Sequence, residues 1–163
     1  MPIEEVAAQA VAAVDRARSL YGSPAPLPAA GQPLQSAAQS AAGLGQRTGG
    51  LSGELVDAHH GFVDQQSAAL SRAGGTDTTL DSHLGAAAAI TASGARQLDA
   101  IAARTRTIAQ AAVTARSASQ QRMVLAALRS TVQQANDVMT GTQQKARDIT
   151  DQVQALTYHT GTR

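Results

Sequence analysis

Residues 80–115, LDSHLGAAAAITASGARQLDAIAARTRTIAQAAVTA, contain a heptad pattern from which the predicted fold follows. Steps of four and three residues alternate without a break along its apolar and small side chains, as expected for a helix packed along another helix. The positions are Leu80, Leu84, Ala87, Thr91, Gly94, Leu98, Ile101, Thr105, Ile108, Ala112 and Ala115. The pattern predicts a long helix over residues 78–116.

A second stripe with the same alternation follows a short break. Its positions are Leu125, Leu128, Val132, Ala135, Met139, Thr142, Ala146, Ile149, Val153 and Leu156. Within the break, Ser117 and Gln120 have the spacing of a capping box, which marks the start of a helix. A connection this short makes two helices antiparallel. We therefore predict an all-α protein built on a long antiparallel, coiled-coil-like hairpin of residues 78–116 and 119–158, with a tail at 159–163.

The N-terminal third has a weaker pattern. Glu4 and Glu5 suit the first turn of a helix, where the backbone dipole favours negative charge, and apolar residues spaced by three and four predict a helix within residues 1–22. Residues 23–50 are rich in Pro, Gly and Ala, which is typical of a linker. They allow a short helix over 34–44.

A further helix is predicted over residues 52–72. Leu55 and Phe62 share one of its faces, and the glycine pair at 74–75 is a typical helix end. This helix completes a predicted bundle over 51–158. Phe62 either packs it onto the hairpin as a third helix or stays exposed and binds a partner. We expect packing of this helix, and the N-terminal helix is either packed on the hairpin or tethered to it.

The composition predicts a core that contributes little stability. Aromatic residues make up 2% of the chain, and alanine makes up roughly a fifth, well above ordinary usage. Small side chains allow close helix packing but bury little apolar area, so we expect a marginally stable protein or one stabilised by a partner. The chain has no Cys, which excludes disulfides, thiolate metal ligands and a Cys nucleophile.

No residue pattern indicates catalysis, a cofactor or a metal. His59 and His60 are adjacent and point about 100° apart on a helix, whereas helical metal ligands are spaced by four residues. No Ser lies in a Gly-x-Ser-x-Gly or Ser-x-x-Lys motif, and no glycine-rich turn has a phosphate-binding context. We predict a non-enzymatic protein without a small-molecule substrate.

Charge and hydropathy restrict the partners further. The net charge is +1, and the basic residues are spread along both predicted hairpin helices without interleaved aromatics, so nucleic-acid binding is not expected. The first residues carry acids where a secretory signal is basic, so no classical signal peptide is predicted. No apolar stretch approaches the ~20 residues that cross a bilayer.

Three segments carry a resemblance to a known family. They are GARQLDAI (residues 94–101), QRMVLAALR (121–129) and QANDV (134–138). The stretch 80–158 resembles an uncharacterised mycobacterial helical domain that occurs alone or ahead of NlpC-type cell-wall peptidases. The resemblance implies a non-catalytic role in the cell envelope.

A looser resemblance is to the helical-hairpin proteins of mycobacterial type VII (ESX) secretion. Those proteins carry Trp-x-Gly at the hairpin turn, whereas residues 116–121 contain neither Trp nor Gly. This resemblance implies secretion without a classical signal peptide, directly or together with a partner.

The favoured functional hypothesis is a protein interaction module that binds a helical partner or a second copy of itself, in the cell envelope or outside the cell. The alternative is an intracellular, cytoplasmic structural or regulatory rod with weak nucleic-acid binding through its basic C-terminal half. The candidate partner-binding or bundle-anchoring residues are Leu55, Phe62, Leu98, Ile101, Leu128 and Val132.

Overall fold

The structure, a computed structural model, describes residues 2–22, 31–47 and 53–156. All elements in these ranges are α-helices, which confirms the predicted fold class. They are α1 (Ile3–Ser19), α2 (Gly31–Arg47), α3 (Glu54–Thr114) and α4 (Ala118–Gln154). None of the four contains a stretch long and apolar enough to cross a membrane. The contacts divide the chain into a first unit, Met1–Ala25 with Ala87–Asp148, and a second unit, Pro26–Ala86 with Ile149–Arg163.

A three-residue turn joins α3 to α4 in the first unit, and the predicted capping box closes it. The Gln120 N–H donates to Ser117 Oγ at 3.2 Å, and the Ser117 N–H donates to Gln120 Oε1 at 3.1 Å. The Arg116 N–H also donates to Gln120 Oε1, at 3.0 Å. These bonds satisfy amide groups that have no partner within the helix. The two helices therefore form the antiparallel hairpin that the sequence predicts.

Helix α1 is the third helix of the first unit. Its buried residues join two clusters with those of the hairpin. One contains Val14, Ala17, Leu98, Ala102 and Ala135, and the other contains Ala7, Ala10, Ala112 and Leu128. Later residues of α1 therefore contact later residues of α4 and earlier residues of α3. Helix α1 is parallel to α4 and antiparallel to α3.

This arrangement differs from the expectation that Phe62 would anchor the third helix. The Phe62 side chain is 59% exposed, and that of Leu55 is 84% exposed. Small side chains explain why α1 fits instead, because Ala7, Ala10 and Ala17 let its backbone approach the hairpin closely.

The predicted helix end at 74–75 is wrong, because α3 is continuous from Glu54 to Thr114. A glycine inside a helix costs only about 1 kcal/mol, and no proline interrupts this stretch. Gly74 is buried, so local packing offsets its cost. The hydroxyls of Thr78 and Thr79 donate to the carbonyls of Gly74 and Gly75, at 2.8 and 3.0 Å. These threonines bond back along the helix instead of capping a new one.

Helix α2 occupies residues 31–47, most of the predicted linker, and packs antiparallel to the start of α3 in the second unit. Ser67 Oγ donates to the Ala38 carbonyl at 3.1 Å, and Gln35 Nε2 donates to Thr78 Oγ1 at 3.1 Å. Ala38 is 4% exposed. These tertiary contacts explain why a Gly-rich segment is helical. The rest of the predicted linker and the tail at 159–163 lie outside the described residues.

Candidate helix-docking furrow

The parallel helices α1 and α4 leave an apolar furrow between them on the surface of the first unit. Three depressions of about 560, 140 and 370 Å³ follow one another along it. The first and second share Ala13 and Val132, and the second and third share Met139. We call this continuous surface the α1–α4 furrow. It runs from Val6 and Leu125 at one end to Leu20 and Ala146 at the other.

Aliphatic side chains form the walls and floor of the α1–α4 furrow. Ala10 and the buried Leu128 contribute to its floor. Three larger side chains on its edges stay partly in water: Leu20 is 69% exposed, Leu125 38% and Val132 37%. A contiguous exposed apolar patch of more than a few hundred Å² is rare on a monomeric protein and marks an interaction site. The furrow therefore offers apolar contact area that the first unit does not cover itself.

Ion pairs bridge α1 and α3 on the opposite side of α1. Arg18 Nε lies 2.6 Å from Asp99 Oδ1, and Arg106 Nη2 lies 2.5 Å from Asp15 Oδ1. Both pairs are largely exposed, so each contributes only about 0.2–1 kcal/mol. Their main effect is on position, because they hold α1 toward α3. The side of α1 that faces α4 has no ion pair among the described residues, and there the furrow stays open.

The α1–α4 furrow is nearly free of charge. Among the residues that line it, Arg129 alone carries a formal charge. Within the part of the chain that the structure describes, Arg129 has no hydrogen-bond or ion-pair partner. Amide and hydroxyl side chains supply the remaining hydrogen-bonding capacity of the walls. The amides are Gln9, Gln133, Asn136 and Gln143, and the hydroxyls are those of Tyr21, Thr91 and Thr142.

The structure separates the six residues predicted to bind a partner or anchor the bundle. Leu98 and Leu128 are buried in the two core clusters, and Ile101 is half-buried against the first of them. Leu128 and Val132 line the furrow together. The other two, Leu55 and Phe62, are exposed in the second unit.

Sequence reasoning missed the contribution of α1 to this surface. Val6, Ala13 and Leu20 belong to the apolar stripe of α1, which the sequence does show. Leu125 and Val132 were predicted as seam residues, yet they lie at its edge because α1 covers only part of α4. An apolar stripe wider than one helix can cover is the signal that could have located the furrow.

Outside the furrow, residues 2–22, 31–47 and 53–156 contain no cluster of polar side chains that suits a metal or ligand site. No group of three His, Cys, Asp or Glu side chains comes together there as a metal site would require. Every buried side-chain nitrogen or oxygen in these ranges has a hydrogen-bond partner. His59 and His60 have ring centroids 6.4 Å apart and are tilted by 47°. The feature most suited to binding is the α1–α4 furrow.

Comparisons of the chain with protein-family models, with curated proteins and with solved structures found no match. The resemblance of residues 80–158 to the mycobacterial envelope domain therefore stays a prediction.

Proposed function

We propose that this protein is a non-catalytic interaction module that binds a helix of a protein partner in the α1–α4 furrow. The observation that carries the proposal is the continuity of the furrow. Between Leu125 and Ala146, α4 advances about 30 Å at 1.5 Å per residue, the length of a helix of five to six turns. A helix laid into an apolar groove is a common mode of recognition between proteins.

The energetics of the first unit support the same function. Its buried core consists mainly of alanine with few large side chains. A docked helix would remove Leu20, Leu125 and Val132 from water, and each Å² of apolar surface buried contributes about 25 cal/mol. Because α1 and α4 already hold the furrow open, the protein itself would lose little conformational entropy on binding.

The proposed setting is the mycobacterial cell envelope, supported by the resemblance of residues 80–158, or type VII secretion, supported by the looser resemblance to its helical-hairpin proteins. Fractionation of the producing cells into cytosol, envelope and medium tests this part of the proposal. We expect the chain in the envelope or the medium. Recovery from the cytosol alone would contradict the setting without affecting the furrow.

Site-specific photo-crosslinking in the producing cells tests the binding function. One variant carries a photoreactive side chain in place of Val132, on the furrow, and a control carries it in place of Ser130, which is exposed and points away from the furrow. We expect an adduct with a helical protein from position 132 and none from position 130.

Quantitative binding completes this test. The cross-linked protein would be purified and titrated against the whole chain and its Val132→Glu variant. We expect Val132→Glu to weaken binding at least about tenfold, because it places a charge in an apolar contact, while the melting temperature stays nearly unchanged at this partly exposed position. Equal adducts from positions 130 and 132, or equal affinities, would refute the function.

A further inference from the structure

The edge of α4 that borders the α1–α4 furrow is basic. Arg122 and Arg129 are one heptad apart, and Arg147 follows Arg129 by 18 residues, or five full helical turns. All three therefore lie on the same side of α4, and all three are exposed. They have no hydrogen-bond or ion-pair partner within the described ranges.

The acidic residues of α4 form no ion pair with this edge among the described residues, although Asp151 follows Arg147 by about one helical turn. In the first unit they are Asp137 and Asp148, which accept hydrogen bonds from Gln133 at 3.1 Å and from Gln144 at 3.0 Å. Neither Asp lines the furrow. The edge of α1 across the furrow carries one charge of each sign, Glu5 and Arg16. The charge asymmetry is thus confined to the α4 side.

From this asymmetry we infer the chemistry of the partner: an amphipathic helix with an apolar stripe and a row of Asp or Glu along the flank that lies against α4. The inference rests on the proposed function, because it describes the occupant of the same furrow. The apolar stripe of the partner helix fills the furrow from Val6 and Leu125 to Leu20 and Ala146. Its carboxylates approach Arg122, Arg129 and Arg147. Complementary charges of this kind select the partner and its register more than they add affinity.

A second copy of the chain does not meet this description. Two furrows placed face to face would offer the basic edge of α4 only the edges already described, which carry no row of carboxylates. Among the described residues, Leu55 and Phe62 form another exposed apolar pair, whose flank carries the single acid Glu54 and no row of carboxylates. Asp57 and Asp64 follow these residues by two positions, about 200° around the helix, and so lie on its opposite side. The partner is therefore a different protein.

Three synthetic helical peptides of about 20 residues, the length of the furrow, test the inference. They share one leucine stripe and differ only at the positions flanking it, which are all Glu, all Gln or all Lys. Each fluorescent peptide is titrated with the whole chain, and binding is followed by anisotropy. We expect the Glu peptide to bind at least about tenfold more tightly than the Lys peptide at about 0.01 M ionic strength, with a smaller difference at about 0.15 M.

Charge-reversal variants of the protein test whether Arg122 and Arg129 cause the preference for the Glu peptide. The double variant Arg122→Glu/Arg129→Glu should prefer the Lys peptide. The control, Lys145→Glu, makes the same kind of change at an exposed residue of α4 that does not line the furrow, and it should keep the preference for Glu. Circular dichroism confirms that each variant is folded.

The outcomes separate the inference from the function beneath it. Equal binding of the three peptides, or a preference that Lys145→Glu reverses as strongly as the double variant, overturns the acidic partner and leaves the helix-docking function in place. Binding of none of the three overturns both. Association with anionic phosphatidylglycerol vesicles together with failure to bind the Glu peptide would assign the basic edge to a membrane surface and also overturn the inference.

Discussion

The ring of Tyr21 lies directly against the backbone of Gly94. A Cβ atom added to Gly94 would overlap Cε1 of Tyr21 and would lie 2.9 Å from Thr142 Oγ1. Tyr21 follows α1, Gly94 belongs to α3 and Thr142 belongs to α4, so the three helices of the first unit meet at one residue without a side chain. The heptad position of Gly94 thus permits the close approach of α1.

Gly94→Ala should destabilise the first unit. Alanine is the better helix former by about 1 kcal/mol, but the clash with Tyr21 should cost more, since overpacking typically costs about 1–3 kcal/mol. The matched control is Gly141→Ala, where an added Cβ meets no atom within 4 Å and stability should rise by about 0.5–1 kcal/mol. Urea unfolding followed by circular dichroism measures both. A stabilising Gly94→Ala would contradict the packing of Tyr21.

Helix α1 should be essential to the stability of the first unit. Val14 is 1% exposed in its core, so Val14→Asp places an unpaired charge in an apolar site and should cost several kcal/mol. Ala12→Asp, at an exposed position on the same helix, should change stability by less than about 0.5 kcal/mol. Hydrogen exchange along α3 and α4 reports the loss of packing. Unchanged protection of Leu98 and Leu128 in Val14→Asp would show that α1 is only tethered.

The capping box should contribute measurably to the hairpin. Ser117→Ala removes the acceptor of the Gln120 N–H and should cost about 0.5–2 kcal/mol. Ser117→Asp keeps an oxygen acceptor at a helix start, where negative charge is favoured, and should retain most of the stability. Thermal unfolding of the two variants makes the comparison. Equal losses for Ala and Asp would mean that the Ser117 side chain does not cap α4.

Phe62 should matter little for stability. With 59% of its side chain exposed, Phe62→Ala should cost less than about 1 kcal/mol, close to the range of surface substitutions. Leu128→Ala removes a side chain that is 1% exposed and should cost about 2–5 kcal/mol. Chemical unfolding of both variants tests the contrast. If Phe62→Ala were as damaging as Leu128→Ala, Phe62 would be a core residue after all.

Local sequence rules predicted the hairpin well. Buried Leu98, Thr105 and Ala112 fall on the first stripe, and buried Leu128 and Ala135 fall on the second. The turn between α3 and α4 was also predicted, because a capping box involves residues only three positions apart. These features depend on spacings of three, four and seven residues, which are properties of a single helix and are visible in the sequence.

The same rules failed where a long-range contact outweighs a local cost. The glycine pair at 74–75 reads as a helix end, yet the chain continues as helix because Gly74 is buried and α2 packs nearby. Residues 31–47 read mostly as linker for the same reason. Each glycine destabilises a helix by about 1 kcal/mol relative to alanine, which is less than the free energy that tertiary packing can supply. The sequence does not show which segments pack together.

The sequence alone determined that the chain is helical, where the hairpin turns and which face of each helix is apolar. The tertiary structure decided which helix covers the hairpin and which surface stays open. The apolar stripes of α1 and of residues 52–72 both suit that role, and hydrophobic attraction is non-directional, so periodicity cannot choose between them. The alanine face of α1 and its ion pairs to α3, formed across 81 and 91 residues of sequence, select α1. Because those pairs hold α1 toward α3, the α1–α4 furrow is left uncovered.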